Sequence, residues 1–95
     1  MSEIAPQRAS HIFLRGRAFA ESRLVCNVHW QSDIIEGKNM AAMTVPQLHT
    51  QKQFLKDLAK AQKEYQTAQR KGDVPDPASC EFENKALSTT VGSVM

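Results

Sequence analysis

The sequence predicts an all-α fold of about four helices. The stretch Gln51 to Arg70 sets Phe54, Leu55, Leu58, Ala61, Gln62, Tyr65 and Ala68 on one face. The stretch Pro6 to Glu21 does the same with Ala9, Ile12, Phe13, Gly16, Phe19 and Ala20. Asp76-Pro77 is a cap and first-turn pair for a further short helix.

In chain order, Pro6 suits a first helical turn, where a missing N–H costs nothing. Arg8, Arg15 and Arg17 fall off the apolar face and should be solvated. Arg23 would continue the apolar stripe if the helix ran on. A charge there needs a partner or a ligand, because an unpaired buried charge is costly. Leu24 to Val28 is a short apolar run, either an extended connector or the end of that helix. A second helix is expected from about Asp33, with Ile34, Ile35, Lys38, Ala41, Ala42 and Val45 at helical spacing. Asp33 followed by Glu36 reads as its N-cap and capping box. Gly37 and Ala41, four apart, would admit a close helix neighbour.

Pro46 should kink or end this helix. Thr50 is the expected cap of the next. In the Gln51 to Arg70 helix, Lys52, Lys56, Lys60, Lys63 and Lys71 form the solvated side, and Gly72 closes it. A loop runs from Gly72 to Pro77. The last helix is expected to reach about Leu87, with Ser88 to Met95 frayed. There are no internal repeats.

The composition bounds the function. Ninety-five residues allow one small domain at most. With 41% hydrophobic and 23% charged residues the chain is not of disordered type. A net charge of +2, without an aromatic-interleaved basic stripe, gives no case for nucleic acid. No apolar run approaches the ~18 residues of a membrane span, and Met1 to Arg8 lacks the apolar stretch of a signal peptide. The two cysteines, Cys26 and Cys80, admit a mutual bridge, other pairing or two free thiols; independent thiols are the expectation.

One stretch reads as chemistry: Ser22 to Asp33, SRLVCNVHWQSD. Arg23 offers a planar fork of donors that fits a phosphate or carboxylate. His29 is a candidate nucleophile or proton carrier. Asp33, four residues on, fixes the imidazole tautomer if the intervening chain turns helically. Trp30, the single tryptophan, either walls the site or anchors the core, and the core is the expectation. His11, His29 and His49 are too dispersed, and Cys26 with His29 too lone a pair, for a metal site. His11 and His49 read as structural or exposed, and Met40 and Met43 as packing residues. No glycine-rich phosphate loop or serine-hydrolase signature appears.

Ser22-Arg23, His29 and Asp33 match SRxxxxxHxxxD, and the stretch resembles the third signature motif of the type-2 phosphatidate phosphatase superfamily. The wording is most similar to bacterial class A non-specific acid phosphatases, from about Pro6 to about Lys71. Vanadium-dependent haloperoxidases share the motif but less of the wording. The resemblance implies part of a helical acid-phosphatase bundle hydrolysing phosphomonoesters through a phosphohistidine. His29 would be the nucleophile, Asp33 its orienting partner, and Arg23 with Ser22 the phosphate-binding residues. No metal or other cofactor is implied. The family's other motifs, KxxxxxxRP and PSGH, are absent, so the chain is expected to correspond to the C-terminal part of such an enzyme and to be inactive alone. Residues 1–71 would be the partial phosphatase domain, and 72–95 a C-terminal loop, short helix and flexible tail. The resemblance implies a periplasmic setting and a phosphomonoester substrate, with no nucleic-acid or membrane partner. It leaves room for a homo-oligomer or for association with a missing N-terminal half. The contrasting reading is a small helical interaction module, docking through the Gln51 to Arg70 helix, with the motif a relic.

Overall fold

In a computed structural model of the chain, residues 1–90 are described, with side chains to Ser88. A 3-10 turn, Pro6–Arg8, precedes α1 (Ala9–Val25), α2 (Gln31–Leu48), α3 (Lys52–Arg70) and α4 (Pro77–Thr90). The described residues contain no strand. Over the described residues the chain is all-α with four α-helices.

Local rules account for the helix ends. Ala5 enters the 3-10 turn at φ −129° without a side-chain cap, and Pro6 takes the first-turn position. The α-helix therefore starts at Ala9 rather than Pro6, and runs four residues past Glu21 to Val25. Leu24 and Val25 belong to this helix end, not to an extended connector. At α3 the end is a Schellman motif. Gly72 sits at φ +71°, its N–H donates to Gln69 O at 3.1 Å, and the Asp73 N–H donates to Ala68 O at 3.0 Å. At α4, Asp76 Oδ2 accepts from the Ser79 N–H at 3.1 Å and the Ser79 hydroxyl at 3.0 Å. That is a side-chain N-cap with proline following it.

Four more expected boundaries move. α2 begins at Gln31, so Asp33 lies inside the first turn and is not the N-cap. Pro46 neither ends nor precedes the end of α2 by the expected margin: the helix continues to Leu48. A proline in the last turn forfeits one backbone bond, which leaves the rest of the ladder intact. Thr50 does not cap α3. Its hydroxyl donates backwards to Gln47 O at 2.7 Å, and Gln51 is the N-cap without a side-chain bond. At the far end α4 reaches Thr90, so Ser88 to Thr90 are helical rather than frayed. The rest of the expected tail, Val91 to Met95, lies outside the described residues.

Packing departs furthest from the sequence pattern. Ala5 is the one buried hydrophobic residue among those described, and no large side chain is fully buried. On α1, Ala9, Ile12 and Ala20 are half-buried while Phe13 and Phe19 stay exposed. Along α2 only Ile34 is even half-buried; Met40 and Met43 are exposed and pack on nothing that hides them. No neighbour comes within 4 Å of a Cβ built at Gly37, so the close helix approach is not made. The α3 face is better covered: Phe54, Leu58, Ala61, Gln62, Tyr65 and Ala68 are half-buried, and its lysines are exposed.

Polar contacts hold the N-terminal segment against α3. Gln62 Nε2 donates to Glu3 O at 2.8 Å. His49 pairs with Glu3 through Nε2 and meets the Phe54 ring edge-on at 5.3 Å. His49 is thus a structural residue. The other tie joins α1 to α4, where Arg15 pairs with Glu83. That pair is half exposed, a class worth about 0–1 kcal/mol.

The result is flat and open, 38 × 37 × 19 Å with a radius of gyration of 15.9 Å. A compact domain of this length would have a radius near ~12 Å. The accessible surface is 7704 Å² for 10.6 kDa, against about 5,500 Å² expected of a folded monomer. Each 100 Å² of apolar surface left in water forfeits about 2.5 kcal/mol. The helices satisfy their own backbones, but little holds them to one another.

Thermal unfolding followed by far-ultraviolet circular dichroism should therefore be broad and shift with protein concentration, as self-association covers the exposed faces. A sharp, reversible, concentration-independent transition of a monomer would contradict this.

Candidate functional site

The site is built on the turn between α1 and α2. Asn27 lies at φ +57°, the one non-glycine residue with positive φ among those described. Its N–H donates to Leu24 O at 3.0 Å, and the Val28 N–H donates to Arg23 O at 3.1 Å. This is the same Schellman closure that ends α3, with asparagine in glycine's place. Trp30 then opens α2 in an extended conformation, φ −84° and ψ 155°.

An indole has no oxygen to offer the helix amides, and Trp30 makes no side-chain cap bond. Asp33 closes the helix from the other direction. Its Oδ2 accepts the Trp30 N–H at 2.8 Å, the reciprocal half of a capping box. The same oxygen lies 3.4 Å from His29 Nδ1. The shorter bond goes to the backbone, so capping is the firmer of the two tasks. A carboxylate only accepts, so Nδ1 is the ring nitrogen that donates in this contact, and in a neutral ring Nε2 keeps the lone pair.

Ser22 and Arg23 sit in the last turn of α1. The Ser22 hydroxyl donates to Phe19 O at 2.6 Å and accepts from Arg23 Nε at 3.1 Å. The Arg23 guanidinium lies over the Phe19 ring, 5.1 Å from its centre. Its two terminal nitrogens make no hydrogen bond among the described residues. Arg23 is half-buried, as expected of a charge on the apolar stripe.

The four motif residues thus form two pairs, Ser22 with Arg23 and His29 with Asp33. A depression of about 210 Å³ beside the turn is lined by Asn27, Val28, His29 and Trp30. Neither Arg23 nor Asp33 lines it. Trp30 is 80% exposed; it borders the site and is not the core anchor expected of it. Cys26, at the C-cap of α1, and Cys80 are free thiols. Among the described residues no cluster of three or more His, Cys, Asp or Glu side chains could hold a metal ion. No described helix is long and apolar enough to cross a membrane.

Two features escaped the sequence pattern. Asn27 could have been noticed, since asparagine tolerates the left-handed region and follows an apolar helix end. Glu21 could not. It is 3% exposed, on the turn of α1 just before the motif, and no apolar periodicity marks a buried carboxylate. No buried side-chain nitrogen or oxygen lacks a hydrogen-bond partner among the described residues.

An all-α chain that sets an arginine, a histidine and an aspartate around one helix–turn–helix junction has the makings of a helical phosphate-handling protein. Its relatives give that class a name. The chain is 36% identical to an acid phosphatase of Zymomonas mobilis over 86 residues, 90% of this chain and 33% of that protein. It is 41% identical to a non-specific acid phosphatase of Salmonella typhimurium over 64 residues, 67% of this chain and 26% of that one. A non-specific acid phosphatase of Providencia stuartii is 38% identical over 65 residues, 68% and 26% of the two chains. Over the matched region the chain is similar to these bacterial acid phosphatases, and it spans about a quarter to a third of their length. No family model matches the chain, and no solved structure does.

Removing the Asp33 carboxylate should loosen the entry to α2. In Asp33→Ala, the Trp30 amide is expected to lose about 1 kcal/mol of protection against hydrogen exchange, read by NMR. Unchanged exchange at Trp30 would show that the cap bond contributes nothing in solution.

Proposed function

We infer that this chain carries the nucleophile portion of a phosphomonoesterase of the acid phosphatase type. The observation that carries this reading is the relatives' shared name over the region holding SRxxxxxHxxxD. The His29–Asp33 contact supports it.

In the proposed step His29 Nε2, the nitrogen left with its lone pair, attacks phosphorus in line. The P–N bond forms as the P–O ester bond breaks, and the leaving alkoxide takes up a proton. Asp33 holds Nδ1–H and stabilises the positive charge that grows on the ring. Arg23 grips the equatorial oxygens through its terminal nitrogens, where charge gathers in the transition state. Ser22 steadies Arg23 through Nε. Water then hydrolyses the phosphohistidine. This chemistry calls for no metal or other cofactor.

The depression beside His29, lined by Asn27, Val28, His29 and Trp30, offers no general acid for the alkoxide and no lining cation. We assign both to polypeptide beyond these residues, either a second copy or further chain of the kind the relatives possess. General acid catalysis is typically worth about 10²–10⁴ in rate, so the isolated chain should turn over p-nitrophenyl phosphate at a negligible rate. Robust turnover abolished by His29→Ala would refute that part. The substrate class is a phosphomonoester, and a periplasmic setting follows from the same resemblance.

Vanadate binding tests the site itself. The reading expects weak binding by this chain, seen as line broadening in vanadium NMR, that is lost in both Arg23→Ala and His29→Ala. In a polypeptide that also supplies the missing groups, rapid quenching should trap an acid-labile phosphohistidine that His29→Ala removes. Asp33→Asn should retain some turnover there, since it costs orientation but not the nucleophile. If vanadate never binds, the exposed helices are better read as an interaction module carrying a relic motif.

A further inference from the structure

We propose that Asn27 is a positioning residue for the phosphate site, acting through its left-handed backbone rather than its carboxamide. The inference rests on the reading of Arg23 and His29 given above and adds a residue that reading does not use.

The two proposed phosphate-contacting side chains leave the chain on opposite sides of Asn27. Arg23 lies in the last turn of α1, and His29 directly precedes Trp30, the N-cap of α2. Of the two backbone bonds that close the turn, the Val28 N–H to Arg23 O bond, 3.1 Å, reaches further across it. That bond closes only because Asn27, at φ +57°, reverses the chain. Without the reversal, residue 28 would not return to the carbonyl of residue 23. His29, its immediate neighbour, would then leave in another direction. Asn27 and His29 also line the same depression.

The left-handed region costs an ordinary L-residue about 1–2 kcal/mol, and a β-branched side chain fares worst there. A valine at 27 would therefore shift the turn toward other conformations. If only the closed turn binds oxyanion, apparent affinity falls in proportion to its population. The expected loss is about 5- to 30-fold in vanadate affinity for Asn27→Val. Glycine adopts the region freely, so Asn27→Gly should bind vanadate as the unsubstituted chain does.

Gly72 supplies the control. It holds the same left-handed position, φ +71°, in the same closure at the end of α3, and a Cβ built there meets nothing within 4 Å. Gly72→Val introduces the same backbone strain without crowding and outside the Arg23–His29 turn. If Asn27 serves only as a helix stop, the two valine variants should behave alike.

The experiment is vanadate titration by vanadium NMR on the full chain and the variants Asn27→Val, Asn27→Gly and Gly72→Val. Helix content and Val28 amide exchange are followed alongside. Weakened binding in Asn27→Val alone, with faster Val28 exchange, supports the proposal. Unchanged affinity in Asn27→Val overturns it, as does equal weakening in Gly72→Val. Weakening in Asn27→Gly overturns it in favour of a direct carboxamide contact. Failure of the unsubstituted chain to bind vanadate sinks the phosphate-site reading and the positioning role with it, an outcome distinct from the other three.

Discussion

A five-residue turn, Cys26 to Trp30, is the constraint on which the proposed phosphate site depends. Two backbone bonds close it onto α1, and one carboxylate closes it onto α2. Both closures are local, spanning five residues or fewer, so they need no core to hold them. This is why a chain with almost no buried interior still presents an ordered junction. The same carboxylate oxygen serves the backbone of Trp30 and the ring of His29. Helix entry and imidazole orientation are therefore one mechanical unit, and a change to either is felt by the other.

The contrast between local and distant order also explains what could be read in advance. Helices at Gln51 to Arg70 and from Asp76-Pro77 follow from spacing, caps and glycine, all of which act within a few residues. The register of α2 was misplaced because Asp33 looks like an N-cap and Trp30 does not. Here the aspartate works from the third helical position, and an extended backbone at Trp30 does the rest. Burial was legible only on α3, whose face meets the N-terminal segment. The apolar stripes of α1 and α2 mark surfaces that want cover, and periodicity cannot say whether the cover lies in the same chain. Among the described residues nothing hides Phe13 and Phe19 of the first stripe or Ile35 of the second.

The candidate site divides along the same line. The motif residues and their spacing were visible, because a four-point pattern needs no geometry to be recognised. The pairing of Ser22 with Arg23, the shared oxygen of Asp33 and the left-handed Asn27 were not, because each depends on backbone direction at a single residue. The relatives are about three to four times as long as the region they share with this chain. In the proposed reading, one and the same further polypeptide would supply both the cover for the helix faces and the groups the site lacks.

The exposed indole of Trp30 has a practical consequence. It is the chain's lone tryptophan and directly follows His29 in sequence. All indole emission therefore originates at the edge of the depression, from a ring standing in water. Its colour and its access to dissolved quenchers would respond to whatever comes to lie over that turn. The protein thus carries its own optical probe at the place where completion of the site would be felt first.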